Sequence, residues 1–220
     1  MIMKIFSLEN DIIFSEECIN VLQIQDKKLF ANVINSLNDN INGIQNTKER
    51  IIILDNDTEI KMEKEALMVI DLFNIDFNQK KIQSALYNKI EKIYKQEFER
   101  MSEFQTLFQK LQLNVLDVFN EFPFEFNYKD SIGIQEYLKL LGLKISNNKG
   151  EIIDKIFSLI DAVEYLSVAK LLIFVNLKLY LSDDELNEIY KYAMYKKVNI
   201  LLIETGEEKE PIKNEKILFV

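Results

Sequence analysis

The side chains able to do chemistry in this 220-residue chain are few in kind: carboxylates, lysines and one thiol, Cys18, with no histidine. The lack of histidine removes the commonest general base and the commonest metal ligand. Serine–histidine and cysteine–histidine hydrolysis are excluded with it. One cysteine makes neither a disulfide framework nor a thiolate metal cluster, so a reducing cytoplasm is expected. Two chemistries remain: a hard cation held by carboxylate oxygens, and an anion held by lysines.

The carboxylates Asp117, Glu121, Glu125 and Asp130 cluster after a long helical pattern. A spacing of four puts Asp117 and Glu121 on one helical face, where like charges repel unless a cation or lysine neutralises them. Calcium would do so with oxygen ligands. A solvated acidic face is the plainer reading, because there is no EF-hand loop.

The lysines are more informative. The chain carries a net charge of −9, yet residues 77–112 hold seven basic and four acidic residues, a local +3. The basic set is Lys80, Lys81, Lys89, Lys92, Lys95, Arg100 and Lys110. Lys80 and Lys81 open the helix, where the helix dipole disfavours positive charge. Lys139, Lys144 and Lys149 form a second group. Such a surface could follow a phosphate backbone; a solvated helix with ordinary i,i+4 pairs is the alternative. No zinc finger or RNA-binding signature is present.

A nucleotide site would need a glycine-rich P-loop ending in Gly-Lys-Ser/Thr. No segment fits. The nearest, Gly43–Lys48, has one glycine and the wrong order and reads as a polar loop. The strand KLLIFV ends in Asn176, where an acidic residue would help hold magnesium.

The elements that position these groups follow from pattern. With 48% apolar and 29% charged residues, this is the balance of a packed globular protein. MKIFSLENDIIFS predicts a hairpin turning at Glu9-Asn10-Asp11, and NVLQI a third strand. Asp26 caps a helix to about Asn38 with Leu29, Val33, Ile34 and Leu37 on one face. RIIILD reads as a strand; EALMVIDLF is ambiguous between strand and helix, and the Asn/Asp-rich break after it favours strand. From Asn78, taken as a cap, the pattern predicts one helix of about 40 residues, roughly 60 Å long, ended by Pro123. Met101, Phe104, Phe108, Leu111, Val115 and Val118 alternate spacings of three and four, a coiled-coil-like seam. FEFNYKD suggests a short strand. SIGIQEYLKLLG is a helix closed by Gly142, and GEIIDKIFSLIDAVEYLS is another. KLLIFV, a helix opened by a Ser182–Glu185 capping box, and NILLIE form a βαβ unit with parallel strands. KILFV is a last strand. No apolar run approaches the roughly 18 residues of a membrane span. The opening MIMKIFSLEN, charged by residue 4, does not read as a secretory leader.

Several segments together resemble the type II-A CRISPR-associated adaptation protein, the Csn-type ring-forming family. They are KIFSLENDIIFSEECINVLQIQD, EALMVIDLFNIDFNQKKIQSALYNKIEKIY, IQEYLKLLGLKI and, most specifically, YLSVAKLLIFVNLKLYLSDDELNEIYKYAMYKKVNILLIE. The resemblance implies an α/β fold with a degenerate P-loop-NTPase-like head at residues 1–76 and 145–220. An inserted long-helix leg domain at 77–144 would project from it. It further implies a lysine-lined homotetrameric ring that binds double-stranded DNA ends without sequence preference. Partners would be the CRISPR integrase complex and the effector nuclease, with no enzymatic activity and no nucleotide. Calcium held by leg carboxylates would support the ring, and Asp130 and Glu136 align with acidic family positions. Lys170 is the basic residue left before LLIFV. Rival expectations are a protein-only scaffold of the adaptation complex and a nucleotide-binding ATPase relative.

Overall fold

Two continuous apolar runs build the centre of a parallel sheet. β7 (Leu171–Val175) and β8 (Asn199–Thr205) pair in parallel, Leu171 opposite Asn199. Strands buried on both faces need no polar alternation, and every residue of β7 is buried. The crossover between them contains the 3-10 turn Leu177–Leu179 and helix α7 (Asp183–Tyr195). Ser182 and Glu185 form the reciprocal capping box of α7. This is a computed structural model, and it describes residues 1–44, 47–146, 150–206 and 210–220.

The remaining strands and helices, in chain order, are β1 (Ile2–Ile5), β2 (Ile12–Ile13), β3 (Ile19–Ile24), α1 (Lys27–Ile41), β4 (Ile51–Asp55), β5 (Thr58–Ile60), α2 (Met62–Glu65), β6 (Ala66–Val69), α3 (Lys80–Gln96), α4 (Phe98–Phe119), α5 (Ile134–Leu140), α6 (Ile152–Leu166) and β9 (Glu215–Phe219). β6, β7, β8, β3 and β9 lie side by side in that order, all parallel. A second sheet, β2-β1-β4-β5, is antiparallel throughout. Its β4–β5 turn uses Asn56 and Asp57, both at positive φ, the left-handed pair a tight hairpin requires. The sequence pattern had not marked this hairpin.

Two compact units result: Met1–Phe77 with Asn147–Val220, and Asn78–Ser146. In the first, Met3, Ile5, Ile51 and Ile53 of the small sheet pack with Leu22, Ile24, Leu171, Ile173, Leu201 and Ile203 of the large one, together with Val33 and Leu37 of α1. Asp26 caps α1 by accepting from the Leu29 N–H at 2.6 Å, and the helix runs on to Ile41, beyond the expected end.

Several expectations are corrected. The strand near 65–73 is only β6; Met62–Glu65 is a helical turn, and Asp71 accepts from the Phe73 and Asn74 N–H groups to form a turn after β6. FEFNYKD forms no strand. The single long helix is two, α3 and α4, broken at Glu97 (φ −109, ψ 90). No glycine or proline causes the break. Packing does: Leu86, Ile90 and Tyr94 of α3 and Met101 and Phe104 of α4 all meet Tyr87 and the α5 residues Ile134 and Leu138. Burial of both faces against α5 outweighs the modest helix propensity of one residue. Asn78 does not cap α3. Gln79 holds that position, while Asn78 clamps the Ile145 backbone, donating to its carbonyl at 2.9 Å and accepting from its N–H at 2.8 Å.

Candidate nucleic-acid interface

Within the second unit α3 is two-sided. Leu86, Ile90 and Tyr94 face the α5 cluster. At about 100° per residue, Lys81, Lys92 and Lys95 fall on the opposite side, with Lys80 and Lys89 at its margins. Lys81 to Lys95 spans roughly 20 Å of helix axis, the scale of several phosphates of a duplex. Lys80 and Lys92 are exposed; Lys81 and Lys89 are partly buried and each interacts within the chain. Lys95 pairs with Glu91 at 2.9 Å, and Arg100 with Glu97 at 2.6 Å. The Glu91 carboxyl is held below its usual range, chiefly by the Lys95 hydrogen bond and next by Gln135. Glu91 thus trims the positive face at one end.

Lys139, in the last turn of α5, and Lys144, just past Gly142, are exposed. Gly142 takes the left-handed conformation (φ +66) that ends the helix. Lys149 lies outside the described residues.

Lys170 stands apart from these. It precedes β7 in the first unit and pairs with Asp55 at 2.8 Å. The hydrogen bond to Asp55, then the Glu65 charge, raise its pKa, and the same bond lowers that of Asp55. It lines a recess of about 670 Å³ together with Lys196 and Lys197, but also Glu16, Asp55, Glu65 and Glu164. Lys196 pairs with Asp161 at 2.8 Å, and Lys197 with Glu16 at 3.6 Å. Four carboxylates against three lysines is not an anion site.

The acidic candidates do not assemble. α4 ends at Phe119, so Glu121 lies in the turn beyond it, and the continuous helical face expected for Asp117 and Glu121 is absent. Glu125 and Asp130 sit in exposed irregular chain. Glu136 is engaged: it accepts from Lys129 at 2.6 Å and from the Gly133 N–H at 3.2 Å, closing the first turn of α5. Both contacts, Lys129 first, lower its pKa. Among the described residues no group of three or more His, Cys, Asp or Glu side chains converges. These carboxylates therefore do not fit calcium within one chain.

Sequence reading missed how α4 is used. Gln112 donates to the Lys129 carbonyl at 2.8 Å and Gln105 to that of Ile132 at 3.3 Å, so the returning segment lies along the helix. Phe119 stacks on Phe126 at 4.5 Å between centroids. Yet no residue of α4 is fully buried, and Leu107, Leu111, Leu113, Val115 and Val118 are exposed. Phe104, Leu107, Phe108, Leu111, Tyr137 and Leu140 line an apolar groove of about 570 Å³. Of the expected seam, Met101 and Phe104 pack inward; Leu111, Val115 and Val118 do not.

At the carboxyl ends of the parallel strands the polar groups face one another. Asn176, at φ 55, accepts from the Thr205 N–H at 3.1 Å through its side chain. The β3–α1 connection is just Gln25-Asp26, and the Asp26 carboxylate occupies the α1 N-terminus. No helix among the described residues is long and apolar enough to cross a membrane.

Three comparisons bear on this arrangement. A family model described as CRISPR-associated protein (Cas_Csn2) matches residues 43–216. The CRISPR-associated protein Csn2 of Streptococcus agalactiae is 24% identical over 190 residues, covering 84% of this chain and 80% of that one. Its namesake in Enterococcus faecalis is 29% identical over 144 residues, 64% of each. The crystal structure of Stu0660 of Streptococcus thermophilus superposes with a TM-score of 0.63 at 13% identity, covering all of this chain and 74% of that one. At that identity the likeness speaks to the fold.

Proposed function

This chain belongs to the CRISPR-associated Csn2 family, and on that premise we propose that it is a non-enzymatic clamp for double-stranded DNA ends. It acts in the acquisition of new spacers, in the cytoplasm, beside the integrase complex and the effector nuclease. The observation that carries the reading is the lysine face of α3, set opposite the helix's apolar side. Lysines in such a row meet phosphates of either strand by charge alone. They position the duplex without reading its sequence. Four copies form the ring. The uncovered apolar side of α4 supports contacts between copies, because a stripe of that size on a monomer in water is an interaction surface.

The head supports an ATPase-like ancestry without the activity. In the order β6-β7-β8-β3-β9 the strand β3, one in from the edge, leads into helix α1 through the kind of strand-to-helix connection that carries the phosphate loop in nucleotide-binding sheets. Here the loop is two residues, and Asp26 puts a negative charge where a phosphate would approach. The family's scaffold reading, binding protein only, draws on the apolar groove of the second unit.

Binding of a linear duplex measured across a salt series, with two unrelated sequences, tests the proposal. The expected result is equal affinity for both sequences and a steep linear fall of log K with log salt. Lack of retention at low salt would leave the scaffold. Saturable heat on adding ATP and magnesium would favour the nucleotide-binding reading.

A further inference from the structure

A buried ionic cluster stands where the last strand meets the rest of its unit. The Glu215 side chain has no exposed surface, Lys178 has 8%, and Tyr190 is fully buried. Lys178 Nζ donates to both Glu215 oxygens, at 2.8 and 2.9 Å. Tyr190 donates its hydroxyl to Oε1 at 2.7 Å, and the Ile212 N–H reaches Oε2 at 3.0 Å. One carboxylate thus joins four elements: the 3-10 turn after β7, helix α7, the approach to β9, and β9 itself. The Lys178 N–H also donates to the buried Glu204 of β8 at 3.1 Å. Burial, then the Glu215 charge, hold the Tyr190 phenol far above its usual range, so it serves as a donor.

The pattern of β9 needs such a device. Among the described residues β9 sits at the sheet edge and pairs with β3 alone, Ile19 opposite Glu215 and Gln23 opposite Phe219. Side chains alternate faces, so a two-residue slip preserves inside and outside. After Glu215-Lys216 the chain runs Ile217-Leu218-Phe219-Val220. A slip placing Ile217 where Glu215 stands would put Phe219 in the place of Ile217 and Val220 in that of Leu218. At those two positions apolar groups would replace apolar groups, while Ile217 would enter the enclosed Glu215 site and Leu218 the exposed Lys216 site, so hydrophobicity alone separates the two registers only weakly. The slip would move Glu215 by about 7 Å, out of reach of Lys178.

We infer that Lys178, Glu215 and Tyr190 form a register lock that docks β9 on β3 in one alignment. The lock has a consequence at the other end of the strand. Val220 donates to the Gln23 carbonyl at 2.9 Å, and its own carbonyl accepts from the Gln25 N–H at 2.8 Å. In the locked register the end of the strand therefore immobilises the β3–α1 turn. A buried pair that selects one register, rather than adding stability, is the best-attested use of such pairs.

The test compares Lys178→Met, Glu215→Leu and the double variant, all built on Tyr190→Phe so that no buried phenol is left without its acceptor, in the full chain, read by methyl NMR of labelled Ile, Leu and Val. Each single variant strands a buried polar partner and should lose most of its folded signal. The double variant should recover folding, yet show at least two sets of methyl signals for Ile217, Leu218 and Val220. Ile173 and Leu201, in β7 and β8, should keep one set. One unchanged set for β9 in the double variant overturns the lock. So does a double variant that folds no better than the singles, because β9 should still dock through its apolar residues.

Discussion

The two units use the same residue types in opposite ways. In the first, Lys170, Lys178 and Lys196 each answer a carboxylate, Asp55, Glu215 and Asp161, and the Lys178–Glu215 pair is buried; in the second, Lys95 and Lys129 are paired at the surface while Lys80 and Lys92 stand exposed on α3. The central strands of the first unit, β3, β7 and β8, are covered on both faces. In the second, α3 sends lysines away from its apolar side, and α4 leaves its apolar residues half exposed. A lysine with a carboxylate partner is part of the scaffold; an exposed one beside like charges is available to phosphate. By the same logic, a covered leucine holds the fold, and an uncovered one is open to another molecule.

The sharpest break of this comparison is a matched pair of truncations. Ile173→Ala, in the sealed core of β7, should cost about 2–5 kcal/mol in denaturant unfolding. Leu111→Ala, on α4, should shift the unfolding free energy by about 0.5 kcal/mol or less at concentrations where the chain is monomeric. Leu111→Asp should instead lower the mass seen by light scattering at high concentration. Equal stability losses at the two sites would erase the distinction.

Charge reversal comes next. Lys80→Glu with Lys92→Glu should weaken duplex binding by about tenfold or more and flatten the salt dependence by roughly two phosphate contacts. Lys170→Ala should leave duplex binding unchanged, because its charge answers Asp55. A loss at Lys170 equal to that at Lys80 and Lys92 would move the interface to the first unit.

Asp26→Ala removes a helix cap and should cost about 1 kcal/mol of stability, with no gain of nucleotide affinity, since no glycine-rich loop replaces it. The smallest effect concerns pH. Glu91, Glu136 and Asp55 all have pKa values lowered in the fold, chiefly by Lys95, Lys129 and Lys170 respectively. Their stabilisation is present above the ordinary carboxylate pKa and is lost as pH falls through the lowered folded values. Thermal unfolding should be flat near neutrality and weaken only in acid. Replacing Lys129 by Met should reduce that acid dependence slightly.

Legibility in the sequence followed locality. The β7–α7–β8 unit could be read because its apolar runs are unbroken and its Ser182–Glu185 cap is local. The α1 cap at Asp26 was readable for the same reason. The break at Glu97 was not, because only the approach of α5, some forty residues on, makes it favourable. The Asn56-Asp57 hairpin did carry a local signal, an Asn-Asp pair followed by the short strand-forming run Thr58-Glu59-Ile60, too brief for its period to stand out. Site residues divide in the same way. That lysines gather on α3 is a matter of composition. That Lys170 is neutralised is not, since Asp55 lies 115 residues away in the chain. The expected pairing of Asp117 and Glu121 assumed a helix that ends two residues too soon.

The clamp reading is tested most directly by giving the full chain, at one low salt concentration, a linear duplex and a covalently closed circular duplex of the same sequence, each with and without calcium. Threading predicts retention of the linear form alone, unchanged by calcium. Equal retention of both forms would contradict the ring and leave an open basic face on α3.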